Sequence, residues 1–309
     1  MEVAISRHHL QQIKSPLNYI GGKSKLLPQI LPLFPKNNKI FVDLFAGGCN
    51  VGINVKAEQI ICNDNLSFLV EMYQIFQKNS LKENLQCIEN QIVIFELSLT
   101  NEEGYKQFRE HYNKYKNPLD LFVLIAFSFN HQIRFNNSHE FNNPFGRERS
   151  SFNATMKQNL EKFITRIQQT KIEFTCFDFA KFDFSFLSEN DFVYCDPPYL
   201  ISLGTYNDGK RGFTGWNESH EVQLLTILEN LHKRNIKFAL SNVLEHKGKT
   251  NEILKNWLAE NEFLKTNFIQ NDYANANYQT LVRDKNASVE VLITNYEVEK
   301  IEKKLGLFD

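Results

Sequence analysis

The most chemically specific run in the chain is Asp196-Pro197-Pro198-Tyr199, placed directly after the apolar segment Phe192–Cys195. An amine on an aromatic ring is a poor nucleophile because its lone pair is delocalised. A site that transfers a methyl group to it gains by accepting hydrogen bonds from both amine hydrogens, which favours the pyramidal nitrogen of the transition state. The Asp196 carboxylate and the Pro197 carbonyl are two such acceptors. Pro197 and Pro198 stiffen the turn and remove backbone donors, while Tyr199 offers a flat face for an extruded base. Cys195 falls inside the strand and reads as packing, not as a nucleophile. The competing reading of these residues alone is a strand-ending Asp-Pro turn with an aromatic plug.

Two glycine-bearing runs could hold a cofactor. Asp43-Leu-Phe45-Ala-Gly47-Gly48 allows a close approach of backbone to ligand, although a glycine turn between strand and helix is also ordinary packing. Asp64 follows the next apolar segment, where an acid either binds a ribose or caps a helix. Near the N-terminus, Tyr19, Gly21, Gly22 and Lys23 form either a loop leading into a helix or a lid, with Tyr19 packed on the cofactor and Lys23 meeting a carboxylate or phosphate.

The elements that must position these residues follow from periodicity. Ile40–Leu44 reads as a buried strand running into the glycine turn, and Gln59–Cys62 as a second strand ending at Asn63-Asp64. Strand, glycine turn, helix, strand and acid make the first half of a nucleotide-binding α/β sheet, with Asp43, Gly47, Gly48 and Asp64 around one crevice. From Leu66 to Gln168 the alternation stops. Helices are expected at Glu103–Tyr115 and Pro118–Phe129, with an ordered loop or short hairpin over His131–Ser151. Strands resume at Ile172–Phe177 and Phe192–Cys195. A helix capped near Asn217 or Ser219 should then bury Val222, Leu225 and Leu228, and strands Ile236–Leu240 and Val289–Thr294 complete the pattern. The charged tail Glu297–Asp309 reads as a peripheral helix.

Composition narrows the class. The 309 residues are 42% hydrophobic and 23% charged, enough to bury a core over one or two lobes. The apolar stretch Leu121–Phe129 is far below the roughly 20 residues of a membrane span, and Met1–Lys14 lacks the pattern of a secretory signal. A cytoplasmic protein is expected. Five cysteines without a CxxC pair fit reduced thiols and suggest no metal site. The net charge of −1 argues against indiscriminate coating of nucleic acid, and six Lys/Arg against three Glu between residues 130 and 170 is a weak cationic excess.

Taken together, Tyr19-x-Gly21-Gly22-Lys23, Phe41–Gly48, Asn63-Asp64 and Asp196–Tyr199 resemble the Dam-type adenine-specific DNA methyltransferases, the alpha-group amino-methyltransferases, and most of all their T-even phage branch. Asn130–Asn136, Asn143–Gly146 and Ser241–His246 carry the resemblance across nearly the whole chain. It implies a class I SAM-dependent methyltransferase: a Rossmann-like, mixed seven-stranded sheet with a reversed edge hairpin and an inserted, mainly helical target-recognition domain. The catalytic domain would span 1–73 and 169–309, and the recognition domain 74–168.

The resemblance further implies S-adenosyl-L-methionine as cofactor, held at Tyr19, Lys23, Asp64 and Asp196 beside Gly21, Gly22, Asp43, Phe45, Gly47 and Gly48. The substrate would be an adenine N6 amine, flipped out of double-stranded DNA. Arg134 falls where the family reads a guanine and Pro144 where it meets a thymine methyl, with Asn130, Gln132, Asn136, Arg147 and Arg149 assisting and GATC the expected site. No obligatory protein partner is implied, although a cognate restriction endonuclease is compatible, and a monomer suffices. Two departures bear on the target: Cys49 stands where relatives carry a last glycine, and His131, Gln132 and Glu148 differ within the recognition loop. Three alternatives stay open: an RNA adenine methyltransferase, a glutamine methyltransferase with a related clamp (there Asn-Pro-Pro-Tyr), and a non-catalytic DNA-binding relative.

Overall fold

The structure, a computed structural model, describes residues 12–19, 21–201, 215–270 and 288–298. The readings of Met1–Lys14 and of the tail Glu297–Asp309 therefore fall largely outside the described residues. At the centre lies β1 (Asn38–Asp43), flanked by β2 (Ala57–Asn63) and β4 (Phe192–Cys195), all parallel. Because both faces of these strands are covered, they read as near-continuous apolar runs. Alternate residues go to opposite cores: Phe41, Ile60, Phe192 and Tyr194 to one face, Val42, Ile61, Val193 and Cys195 to the other.

Beyond β2 lies β3 (Ile172–Thr175), and beyond β4 come β5 (Lys237–His246), β8 (Val289–Thr294) and β7 (Lys265–Ile269). The order β3-β2-β1-β4-β5-β8-β7 is parallel as far as β5. Along this order β8 alone is reversed, antiparallel to both β5 and β7, giving the reversed edge hairpin expected for a class I methyltransferase fold, and the two-residue β6 (Lys249–Thr250) pairs with β5. The chain runs outward from β1 to β3 and returns to β4 on the other side of β1. That reversal opens a crevice at the carboxyl ends of β1 and β4, where Asp43 ends one strand and Asp196 follows the other.

The short α1 (Leu27–Ile30) precedes β1, and the interruption between β2 and β3 holds five α-helices: α2 (Ser67–Lys78), α3 (Leu81–Ile94), α4 (Glu102–Tyr115), α5 (Pro118–Phe127) and α6 (Ala154–Gln169). Asn117 caps α5, Pro118 starts it, and every residue from Leu119 to Phe127 is buried. A helix apolar all round can only be the centre of a bundle, so Phe122→Ala should cost about 3–5 kcal/mol. The bundle core continues into the sheet core through Phe76 on Phe122 and through Tyr73 on Phe163 and Phe174. Gln74 and Gln77 of α2 donate to the carbonyls of Phe174 and Ile172, closing polar groups of edge strand β3.

On the opposite face pack α7 (Glu218–Lys233), capped by Asn217, and α8 (Glu252–Glu260). The inner face of α7 is Glu221, Leu224, Leu225, Leu228 and Leu231; Val222, expected there, is 51% exposed. The spacing admitted a face centred one position off, and Glu221, a charged residue, marks the true one. α5 also stops at Phe127, where Ser128 turns the chain. Residues 128–146 form a loop pinned by the bridges Ser128–Phe145 and Phe135–Phe141. Among the described residues no helix is long and apolar enough to cross a membrane.

Candidate active site

The glycine turn is built by its neighbours. Gly47 has φ +47°, and a Cβ there would lie 2.8 Å from the Tyr19 ring, so both backbone conformation and contact demand glycine. Its N–H donates to Asp64 Oδ2 at 2.8 Å, while its carbonyl accepts from the buried Tyr73 hydroxyl. Asp64 Oδ1 accepts from the Leu66 N–H ahead of α2. Asp64 thus fixes the turn and opens a helix, and it still lines the crevice. Asn63 ties the strand tips together through the carbonyls of Leu44 and Phe177.

Asp43 is 1% exposed and accepts from the Gly52 N–H at 3.0 Å. Burial first, then the nearby Asp196 charge, push its carboxyl up to about 8. Across the crevice, Lys23 Nζ lies 2.8 Å from Asp196 Oδ1 and 3.9 Å from Glu290 Oε1, with only 6% of its side chain exposed. The Tyr199 hydroxyl is 3.1 Å from each of the same two oxygens, and the ammonium stands 4.9 Å from the Tyr199 ring centroid. Burial raises the Asp196 carboxyl above its ordinary value, opposed by Lys23 and abetted by Glu290. Both protein contacts of Asp196 named here fall on Oδ1, leaving Oδ2 as an acceptor for an amine.

These groups share one cavity of roughly 380 Å³. Tyr19, Gly21, Gly22 and Lys23 line it from the N-terminal segment. Asp43, Phe45, Gly47, Gly48 and Asp64 line it from the first half of the sheet, and Asp196, Pro197, Pro198 and Tyr199 from the turn after β4. Sequence reasoning named Phe45 but missed Phe179 and Trp216, which complete an aromatic wall: the three rings meet with centroids 5.2–5.7 Å apart, and Glu221 anchors the Trp216 N–H at 2.6 Å. It also missed Glu290. The available signal was a lone acid inside the apolar strand Val289–Thr294.

The seven expected DNA-reading residues lie outside this cavity, on the 128–150 loop. Asn130 (φ 54°) offers its carbonyl to the Asn18 side chain, joining the loop to the segment that carries Tyr19. Gln132 is half-buried and its carbonyl is held by Asn143, whereas Arg134 and Pro144 are exposed. The Asn136 side chain builds a turn by accepting from Ser138 and Glu140. Arg147 pairs with Glu102, and Arg149 lies over Phe129.

Residues 19–271 match the family model of the D12 class N6 adenine-specific DNA methyltransferases. The chain belongs to that family. It is 54% identical over 287 residues to modification methylase StsI of Streptococcus sanguinis, covering 93% of this chain and 43% of that protein. It is 50% identical over 296 residues to the Type II methyltransferase M.FokI of Planomicrobium okeanokoites, covering 96% and 45%. The DNA adenine methylase of Escherichia coli K12 is 29% identical over 230 residues, 73% of this chain and 79% of that protein. The chain thus spans less than half the length of the first two relatives. The D12 match runs from Tyr19 through the inserted helices and Asp196–Tyr199 to residue 271, ending before β8 and Glu290.

Proposed function

We propose that this chain transfers a methyl group from S-adenosylmethionine to the exocyclic N6 amine of an adenine within a short duplex DNA site. The observation that carries the reading is the Asp196 turn. A buried carboxylate with one oxygen held by Lys23 and Tyr199 shares its cavity with a glycine turn, an acid at a strand tip and an aromatic wall. The residues suit the cofactor: Asp196 and Asp64 outweigh Lys23 in charge, which favours a sulfonium over its neutral product. Phe45, Phe179 and Trp216 offer faces to an aromatic ring, Asp64 an acceptor for ribose hydroxyls, and Gly47 with Gly48 room for close approach. When bound, the cofactor supplies a methyl on positively charged sulfur, which leaves with the carbon–sulfur electron pair.

The chain supplies the rest. Asp196 and the Pro197 carbonyl accept the two amine hydrogens and turn the nitrogen lone pair outward. Tyr199 stacks on the base, and the cavity walls exclude water. Helices and loops within 74–168 serve as the target-recognition region, with Arg134 and Pro144 presented for base contacts and Arg147 and Arg149 for phosphates. GATC is the first target to test. Two relatives at 54% and 50% identity are a modification methylase and a Type II methyltransferase, which favours a role beside a cognate restriction endonuclease. The experiment is transfer of labelled methyl to GATC duplexes, their single-base variants, random duplexes and RNA. Labelling confined to one duplex motif supports the reading, and labelling of RNA alone overturns it.

A further inference from the structure

We infer that Glu290 is a positioning residue that sets how firmly Asp196 takes the proton of the target amine; this rests on the amine-methylation reading above. Glu290 is the only charged side chain in β8, and 9% of it is exposed. Burying a carboxylate is costly unless charged or polar partners meet it. It shares two partners with Asp196. The Tyr199 hydroxyl oxygen lies 3.1 Å from an oxygen of each acid, with one proton to donate between them, and one Lys23 ammonium lies 2.8 Å from Asp196 and 3.9 Å from Glu290. The two oxygens are therefore at most about 6 Å apart, and a second carboxylate that close raises the proton affinity of Asp196.

That coupling has a use in the reaction. As the nitrogen–carbon bond forms and the donor's carbon–sulfur bond breaks, the amine nitrogen holds one proton too many, and Asp196 receives it. A carboxylate of ordinary acidity is a weak base for this, whereas one raised by burial and by Glu290 is better matched to neutral pH. Glu290 also draws on the Tyr199 hydroxyl and the Lys23 ammonium, which would otherwise hold Asp196 in its ionised form. The other titratable groups nearby are Asp43 on β1, Tyr194 on β4, Asp64 on β2 and His246 on β5, whose Nδ1 lies 2.6 Å from Ser288 Oγ. Of these, Tyr194 also feels the Glu290 charge, whereas Asp196 shares Lys23 and Tyr199 with it directly.

The test is Glu290→Gln in the whole chain, read by carboxyl carbon NMR, with the Asp196 resonance assigned by its loss in Asp196→Asn. The Asp196 midpoint should fall by about one pH unit. The acid limb of kcat/KM should move down with it, and kcat at neutral pH should drop about tenfold while the Kd for S-adenosylmethionine stays within about twofold. Glu290→Asp, which keeps the charge, should restore the midpoint and most of kcat. An unmoved midpoint overturns the inference, and an unmoved midpoint with a tenfold weaker Kd would place Glu290 on the cofactor instead. A midpoint that falls in a protein transferring no methyl to any adenine would sink the methylation reading while leaving the charge coupling standing.

Discussion

Asp43 gives the site a signature that stability measurements can read without any substrate. The side chain is 1% exposed, so solvent hardly screens it, and burial, then the Asp196 charge, push its carboxyl from an ordinary 3.8 up to about 8. An acid raised in this way keeps its proton in the folded protein after the unfolded chain has released it. Each pH unit between those two values therefore costs the folded state about 1.4 kcal/mol, and the loss stops once pH passes the folded value. Asp43→Asn keeps an oxygen for the Gly52 N–H and removes the titration. Its extra buried donors cost a fixed amount of about 1–3 kcal/mol. Relative to the parent, the variant should thus gain about 4 kcal/mol on going from pH 5 to pH 8. Urea unfolding of both proteins at the two pH values measures this directly. The same stability difference at pH 5 and pH 8 would refute the argument that Asp43 is folded in its protonated form.

Gly47→Ala forces a left-handed side chain against the Tyr19 ring, so stability should fall by about 1–2 kcal/mol in a thermal melt, and calorimetry should show weaker S-adenosylmethionine binding. Trp216→Phe removes the donor to Glu221 Oε2 and part of the aromatic wall; chemical unfolding should show a loss of about 1–3 kcal/mol, with a raised KM for cofactor. Arg134→Ala should relax one base position by about 1–3 kcal/mol in a competition assay over duplex variants, whereas equal losses on every duplex would remove it from base reading.

What was legible in the sequence depended on how local its cause is. β1 and β4 announced themselves because burial on both faces demands continuous apolar runs, and the turns that follow them need glycines and prolines whatever surrounds them. The edge strand β7 was illegible: Lys-Thr-Asn-Phe-Ile has no apolar alternation, since its Phe268 is 69% exposed, and pairing with β8 alone makes it a strand. The Glu290 and Trp216 sites depend on partners distant in sequence, Tyr199 lying 91 residues from Glu290. A lone acid in an apolar strand shows that a partner must exist without showing which. Asn136 adds a local role that its residue type did not announce, because its side chain closes a turn by accepting from Ser138 and Glu140.

The central claim is that the Asp196 turn methylates adenine at N6. The most direct measurement is nucleoside mass spectrometry of duplex DNA incubated with the protein and S-adenosylmethionine, beside an Asp196→Ala control that melts like the parent. The account predicts N6-methyldeoxyadenosine from the parent and none above background from the control. Methylation at another base or atom, or equal yields from both proteins, would contradict it.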